Sequence, residues 1–135
     1  MGLEVVSLRC ISTSNVDELV ASYIAAWSTV DDAERRRLID KVYAEDAEFF
    51  ADEPGDAAIR RQGRAEIREN ITQVNERLTQ ANGLVTRSTG FVENHDLLRV
   101  SWKMTTPDGG VAMTGMNVLL RGGDGKVVRD YILIG

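Results

Sequence analysis

Apolar positions in this chain change their period near residue 82. Before it they recur at three and four. Val16, Leu19, Val20, Tyr23 and Trp27 form one stripe, which predicts a helix opened by Ser14 with Asp17 in a variant capping box. Thr29–Asp32 breaks the stripe, and Asp31 or Asp32 can cap a second helix that buries Leu38, Ile39, Val42 and Tyr43. Asp46–Phe50 reads as a short strand. Pro54-Gly55-Asp56 opens a loop that runs to Gly63. A third helix starts near Arg64, carries Ile67, Ile71, Val74 and Leu78 on one face, and stops at Asn82-Gly83. After that the period is two. Strands are predicted at Leu84–Val92, Leu97–Thr105, Val111–Arg121 and Lys126–Ile134. The short turns Glu93–Asp96, Pro107–Gly110 and Gly122–Gly125 join them antiparallel.

Three amphipathic helices followed by four strands give an α+β fold. The helices pack against a curved antiparallel sheet as a cone that encloses a pocket. The 135 residues read as one domain, with residues 1–13 as an N-terminal arm or an extra strand. Composition narrows the function. A net charge of −5 argues against nucleic acid, whose phosphates need a basic footprint. Arg35–Arg37 and the cluster of Arg60, Arg61 and Arg64 are interrupted by acids and read as solvated helix faces. Cys10 stands alone, which fits a reducing cytoplasm. No segment reaches the ~20 apolar residues of a membrane span, and Met1–Ser12 lacks the pattern of a signal peptide.

Several residues stand out against this pattern. Asp130 shares a strand face with Val128, Ile132 and Ile134, so it points inward. A carboxylate there is either functional or paired with an arginine. Tyr23 carries a hydroxyl that needs a partner when buried, and Trp27 lies one turn on. Asn117 interrupts an apolar strand between Met116 and Val118. Met104, Met113 and Met116 are either core filler or an adaptable lining. Period two puts Leu98, Val100, Trp102 and Met104 inside and Arg99, Ser101 and Lys103 outside. His95 sits in a turn, and a single histidine among scattered carboxylates makes no metal site. Gly122-Gly-Asp-Gly125 joins two strands, so it reads as a hairpin turn and not as a phosphate cradle.

Four segments in order, Tyr23-Ile-Ala-Ala-Trp27, Tyr43-Ala-Glu-Asp46-Ala47-Glu-Phe, Gly63-Arg-Ala-Glu-Ile67 and Gly125-Lys-Val-Val-Arg-Asp-Tyr131, resemble the nuclear-transport-factor-2-like superfamily. Within it they resemble the SnoaL-like polyketide cyclase group. The resemblance spans residues 16–134 and implies a helical cone on a curved sheet, often a homodimer. Tyr23 is similar in context to the oxyanion-hole tyrosine of ketosteroid isomerase, and Asn117 falls where that enzyme has a protonated aspartic acid. Its general base would fall at Ala51, with Asp52 one position on. Arg129-Asp130-Tyr131 resembles the tripeptide of the catalytic acid of limonene epoxide hydrolase. Leu98-Arg99-Val100 resembles that enzyme's arginine strand, although Ser101 replaces its second aspartate and Phe49 and Ala51 its water-positioning pair. This resemblance would turn Arg99 inward, against the period.

The expected protein holds a small, largely apolar molecule and uses no cofactor or metal. Asp130 is the candidate general acid or base, and Tyr23 and Asn117 are the hydrogen-bond donors. Trp27, Asp52, His95, Arg99 and Met113 are candidate ligand contacts. The chemistry would be that of an isomerase, cyclase or epoxide hydrolase. The alternative is a non-catalytic binding or dimerisation module. A homodimer through the outer sheet face is expected, because a broad sheet must cover its second face.

Overall fold

The computed structural model describes residues 2–51 and 59–135, with side chains from Asn15 onward. Helix α1 is Gly2–Ser28. The backbone of residues 2–13 is thus helical where an arm or extra strand is expected, and the helix runs through Ser14 instead of starting there; the side chains up to Ser14, Cys10 among them, and all of Asp52 lie outside the described residues. Helix α2 is Asp32–Val42, and Asp31 caps it by accepting from the Glu34 amide at 2.9 Å. Helix α3 is Arg64–Val74, entered from Gly63 and continued by a π-helical turn over Asn75–Gln80. The strands are β1 Tyr43–Ala51, β2 Ile59–Gln62, β3 Val85–Asn94, β4 Leu97–Thr105, β5 Val111–Arg121 and β6 Val127–Ile134.

The six strands form one sheet in the order β2-β1-β6-β5-β4-β3. The β3-β4-β5-β6 meander is antiparallel, as the turn chemistry requires. The sheet as a whole is mixed, because β1 pairs with β6 parallel, Phe49 opposite Asp130. Tyr43, expected at the end of the second helix, is the first residue of β1, so β1 is longer than the strand predicted over 46–50. Strand β2 lies in the segment read as loop. Its Ile-Arg-Arg-Gln sequence has no apolar alternation, and pairing with β1 makes it a strand.

The stripes read from the sequence meet in one core. Val20, Tyr23, Ile39, Val42, Ile67 and Ile71 of the helices pack on Phe49, Leu98, Val100 and Leu119 of the sheet. A buried arginine ties the helices together. Arg35 donates to the Thr29 and Val30 carbonyls at 3.0 and 3.1 Å, to Thr72 Oγ1 at 3.3 Å, and to Asp32. Among the described residues no element covers the outer sheet face, which carries Phe50 stacked on Tyr131 at 4.8 Å, together with Met116, Val118 and Leu133.

Candidate functional site

Asp130 stands at the centre of β6 with no exposed surface. Alternation along β6 turns its side chain toward the helices. There the Tyr23 hydroxyl of α1 donates to Oδ2 at 2.9 Å, and the Tyr43 hydroxyl of β1 donates to the same oxygen at 2.7 Å. On the other side the Asn117 amide of β5 donates to Oδ1 at 2.6 Å. Asn117 is itself oriented, because its Oδ1 accepts the indole N–H of Trp102 in β4 at 2.8 Å. Two hydroxyls and an amide thus converge from three elements on one carboxyl, an indole from a fourth holds the amide, and all are buried.

The packing that permits this is specific. A Cβ on Gly115 would lie 2.5 Å from Trp102 Cζ2 and 2.8 Å from the Leu133 carbonyl, so only glycine lets the indole lie flat there. The Tyr23 and Tyr43 rings sit 6.3 Å apart and tilted. Trp27 covers the cluster from α1 with its ring 5.9 Å from Phe49. Asn75, the first residue of the π-helical turn, donates to the Trp27 carbonyl at 2.7 Å and to that of Thr29 at 3.2 Å, which ties off the end of α1. The buried Trp27 indole N–H has no hydrogen-bond partner among the described residues.

Burial dominates the electrostatics. It pushes the Asp130 carboxyl up to about 6, against the opposing pull of the bonds from Asn117, Tyr43 and Tyr23. Burial and the neighbouring Asp130 charge also raise both tyrosines well above the ordinary 10.0, so they remain protonated donors. All three donors to Asp130 are neutral. The arginine-paired alternative is therefore not what this carboxyl adopts.

The candidate contacts divide. Tyr23, Asn117 and Asp130, placed far apart in sequence, come together. Trp27 borders them half-buried, and Met113 is half-buried on the core side of β5 opposite Met104. Arg99 does not join them. It is exposed and pairs with Val92 and Val118 on the outer face, so the period-two reading holds over the epoxide-hydrolase resemblance. His95 is also excluded. It lies exposed in the β3–β4 turn at φ 56°, its ring bonded to Asn94 Oδ1 at 2.8 Å. Tyr43 and Trp102 are members that sequence reasoning read only as core. Their signal was the phenol and the indole N–H, each of which needs a partner once buried.

Packed side chains occupy the space around Asp130. A groove of about 530 Å³ lies elsewhere, between α2 and α3, lined by residues that include Asp32, Arg36, Arg68 and Thr72. Among the described residues no three His, Cys, Asp or Glu side chains gather as metal ligands, and no helix is long and apolar enough to cross a membrane.

No protein-family model matches the chain, and no curated protein matches it. Solved structures do. A candidate isomerase of the SnoaL-like family from Agrobacterium tumefaciens is 21% identical over 87% of this chain and 95% of its own, with a TM-score of 0.75. A candidate polyketide cyclase from Sinorhizobium meliloti is also 21% identical, over 85% and 93%, with a TM-score of 0.60. A protein of ketosteroid isomerase-like fold from Catenulispora acidiphila, solved with trimethylamine, is 15% identical over 85% and 83%, with a TM-score of 0.60. At these identities the likeness establishes the fold. This chain has the helix-on-curved-sheet cone of SnoaL-like and nuclear-transport-factor-2-like proteins.

Proposed function

We propose that the protein binds a small, largely apolar molecule inside the cone, by parting the side chains packed around Asp130, and that Asp130 exchanges a proton with it. The reading rests on one observation. A carboxyl without solvent is held by three neutral donors, and its pKa is pushed up to about 6. A group of that pKa gives and takes protons near neutral pH, and such perturbed carboxyls cluster at functional sites. The tyrosine pair saturates Oδ2, while Oδ1 accepts only Asn117 among the described residues. A carboxylate has about four acceptor positions, so Oδ1 retains one for a substrate proton. Asn117 keeps a second amide N–H for a ligand oxygen, whereas Tyr23 has given its one proton to Asp130 and would serve a ligand only by turning from the carboxyl; Trp27 and Met113 are the apolar walls. Isomerase, cyclase and epoxide-hydrolase chemistry all need such a group, and the names of two structural neighbours support the first two.

The reading needs no cofactor, metal, nucleic acid or membrane, and the lone Cys10 suits a reducing cytoplasm. The stacked Phe50–Tyr131 pair with Met116, Val118 and Leu133 supports a homodimer through the outer sheet face. A panel of epoxides and cyclic ketones, screened for turnover and for shifts in the Asp130 carboxyl resonance, tests the function. Turnover lost in Asp130→Asn with folding intact is the expected result. Full turnover in that variant would overturn the assignment of Asp130. A second reading, a non-catalytic binding or dimerisation module, is favoured by the close packing around Asp130 and by Ala51 and Ser101 where related enzymes carry carboxylates. No turnover and no shift across the panel would favour it.

A further inference from the structure

Among the described residues strand β3 is an edge of the sheet and pairs only with β4. Its side chains are exposed from Arg87 to Asn94, with Phe91 at 36% and Val92 at 50%. The direction of its backbone groups follows from one contact. Thr86 gives its N–H to Ser28 Oγ at 2.8 Å and its carbonyl accepts from that hydroxyl at 3.4 Å, so both groups face away from β4. Thr86 lies opposite Met104, and hydrogen-bonded and open pairs alternate along an antiparallel ladder. The residues opposite Trp102, Val100 and Leu98 therefore face outward too. These are Ser88, Phe91 and Glu93, with the bulge between Ser88 and Gly90 absorbing Thr89. Ser28 covers the start of the edge, and Ser88 Oγ takes the Gly90 N–H at 3.3 Å. Among the described residues nothing takes the outward N–H and C=O groups of Phe91 and Glu93. A free strand edge of this kind templates pairing with another strand.

We infer that the Phe91–Glu93 edge pairs antiparallel with the same edge of a second copy of this chain, about a twofold axis through Val92. The register selects this occupant. With two outward residues there are three ways to set a copy against itself. Glu93 against Glu93 opposes like charges. Phe91 against Phe91 runs Glu93 into the partner's bulge. Phe91 against Glu93 uses both outward residues on each chain and makes four backbone hydrogen bonds. In that register Val92 meets Val92, and Asn94 meets Gly90, which has no side chain to obstruct it. Phe91 meets a Glu93 already held by Arg121 at 2.8 Å, so the carboxylate brings a guanidinium toward the ring. The bulge and the His95 turn limit the ladder on either side, so the association is weak and depends on concentration. It uses neither the proposed pocket nor the stacked pair on the outer face.

Disulfide trapping tests the register. In a Cys10→Ser background, Val92→Cys puts two thiols across an open pair with Cα atoms about 4.5 Å apart, within disulfide reach. Mild oxidation should convert it to a covalent species of twice the mass. Asn94→Cys in the same background should give no covalent dimer, because the two positions lie about 13 Å apart at the strand rise. Val92→Lys, an exposed change that opposes like charges across the axis, should abolish the association that sedimentation equilibrium still measures once Val118→Glu has removed outer-face pairing. Val118→Glu on the outer face should leave the Val92→Cys trapping intact. Failure of Val92→Cys to trap, equal trapping of Asn94→Cys, or unchanged association in Val92→Lys would each overturn the proposal.

Discussion

Two effects of opposite sign meet at Asp130, and Asp130→Asn separates them. Burial disfavours the ionised carboxylate, whereas the bonds from Asn117, Tyr43 and Tyr23 favour it, and burial is the larger. The folded-state pKa of about 6 lies above the ordinary 3.8 that holds in the unfolded chain. Between these values the folded state binds more protons, so its stability falls as pH rises. This contribution is fully present below about 3.8, decays as pH passes through about 6, and is absent at neutral pH. The difference corresponds to about 3 kcal/mol, an order-of-magnitude figure for a group with no solvent screening. Asn keeps the shape and cannot titrate. Urea denaturation of both proteins, followed by tryptophan fluorescence from pH 4 to pH 8, measures the difference in unfolding free energy. Every other titrating group cancels in that difference. The variant should gain on the wild type by about 2.5 kcal/mol from pH 4 to pH 8, part of the full difference being already lost at pH 4, whatever offset its altered hydrogen bonds impose there. A flat difference would mean that the three donors cancel burial, one that moves toward the wild type that they outweigh it, and the argument for a proton-exchanging Asp130 would fail with either.

Tyr43→Phe removes a donor that lowers the Asp130 pKa, so a carboxyl NMR titration should show that pKa rising, with a stability loss of about 1–2 kcal/mol. Gly115→Val forces Trp102 off Asn117. A loss of about 1–3 kcal/mol and a changed near-ultraviolet dichroism of the indole should follow, and an unchanged spectrum would show that the site relaxes elsewhere. Arg35→Met leaves the Thr29 and Val30 carbonyls and Thr72 without their donor. Thermal unfolding should register a loss of about 3 kcal/mol, whereas exposed Arg37→Ala should leave the midpoint unchanged.

Periodicity alone determined much of this protein. The three helical stripes, the four-strand meander and its turns are local properties, written in which side chains must leave water and which turns glycine and aspartate permit. The same rule turned Asp130 inward and Arg99 outward, because neighbouring side chains on a strand take opposite faces. It also marked Tyr23 and Asn117 as polar groups in apolar stripes. Only the tertiary structure decided what Asp130 touches. Tyr43 lies 87 residues from it in sequence and Tyr23 lies 107. Tyr43 reaches it because β1 adds to β6 in parallel, a pairing between strands with no turn to announce it. The mixed sheet follows from that pairing, and β2 from its own antiparallel pairing with β1. Trp102 joined through a glycine on the next strand that leaves room for an indole. Local pattern records how each residue meets solvent. Which buried donors share an acceptor depends on contacts between distant segments, and those exist only once the sheet has closed over the helices.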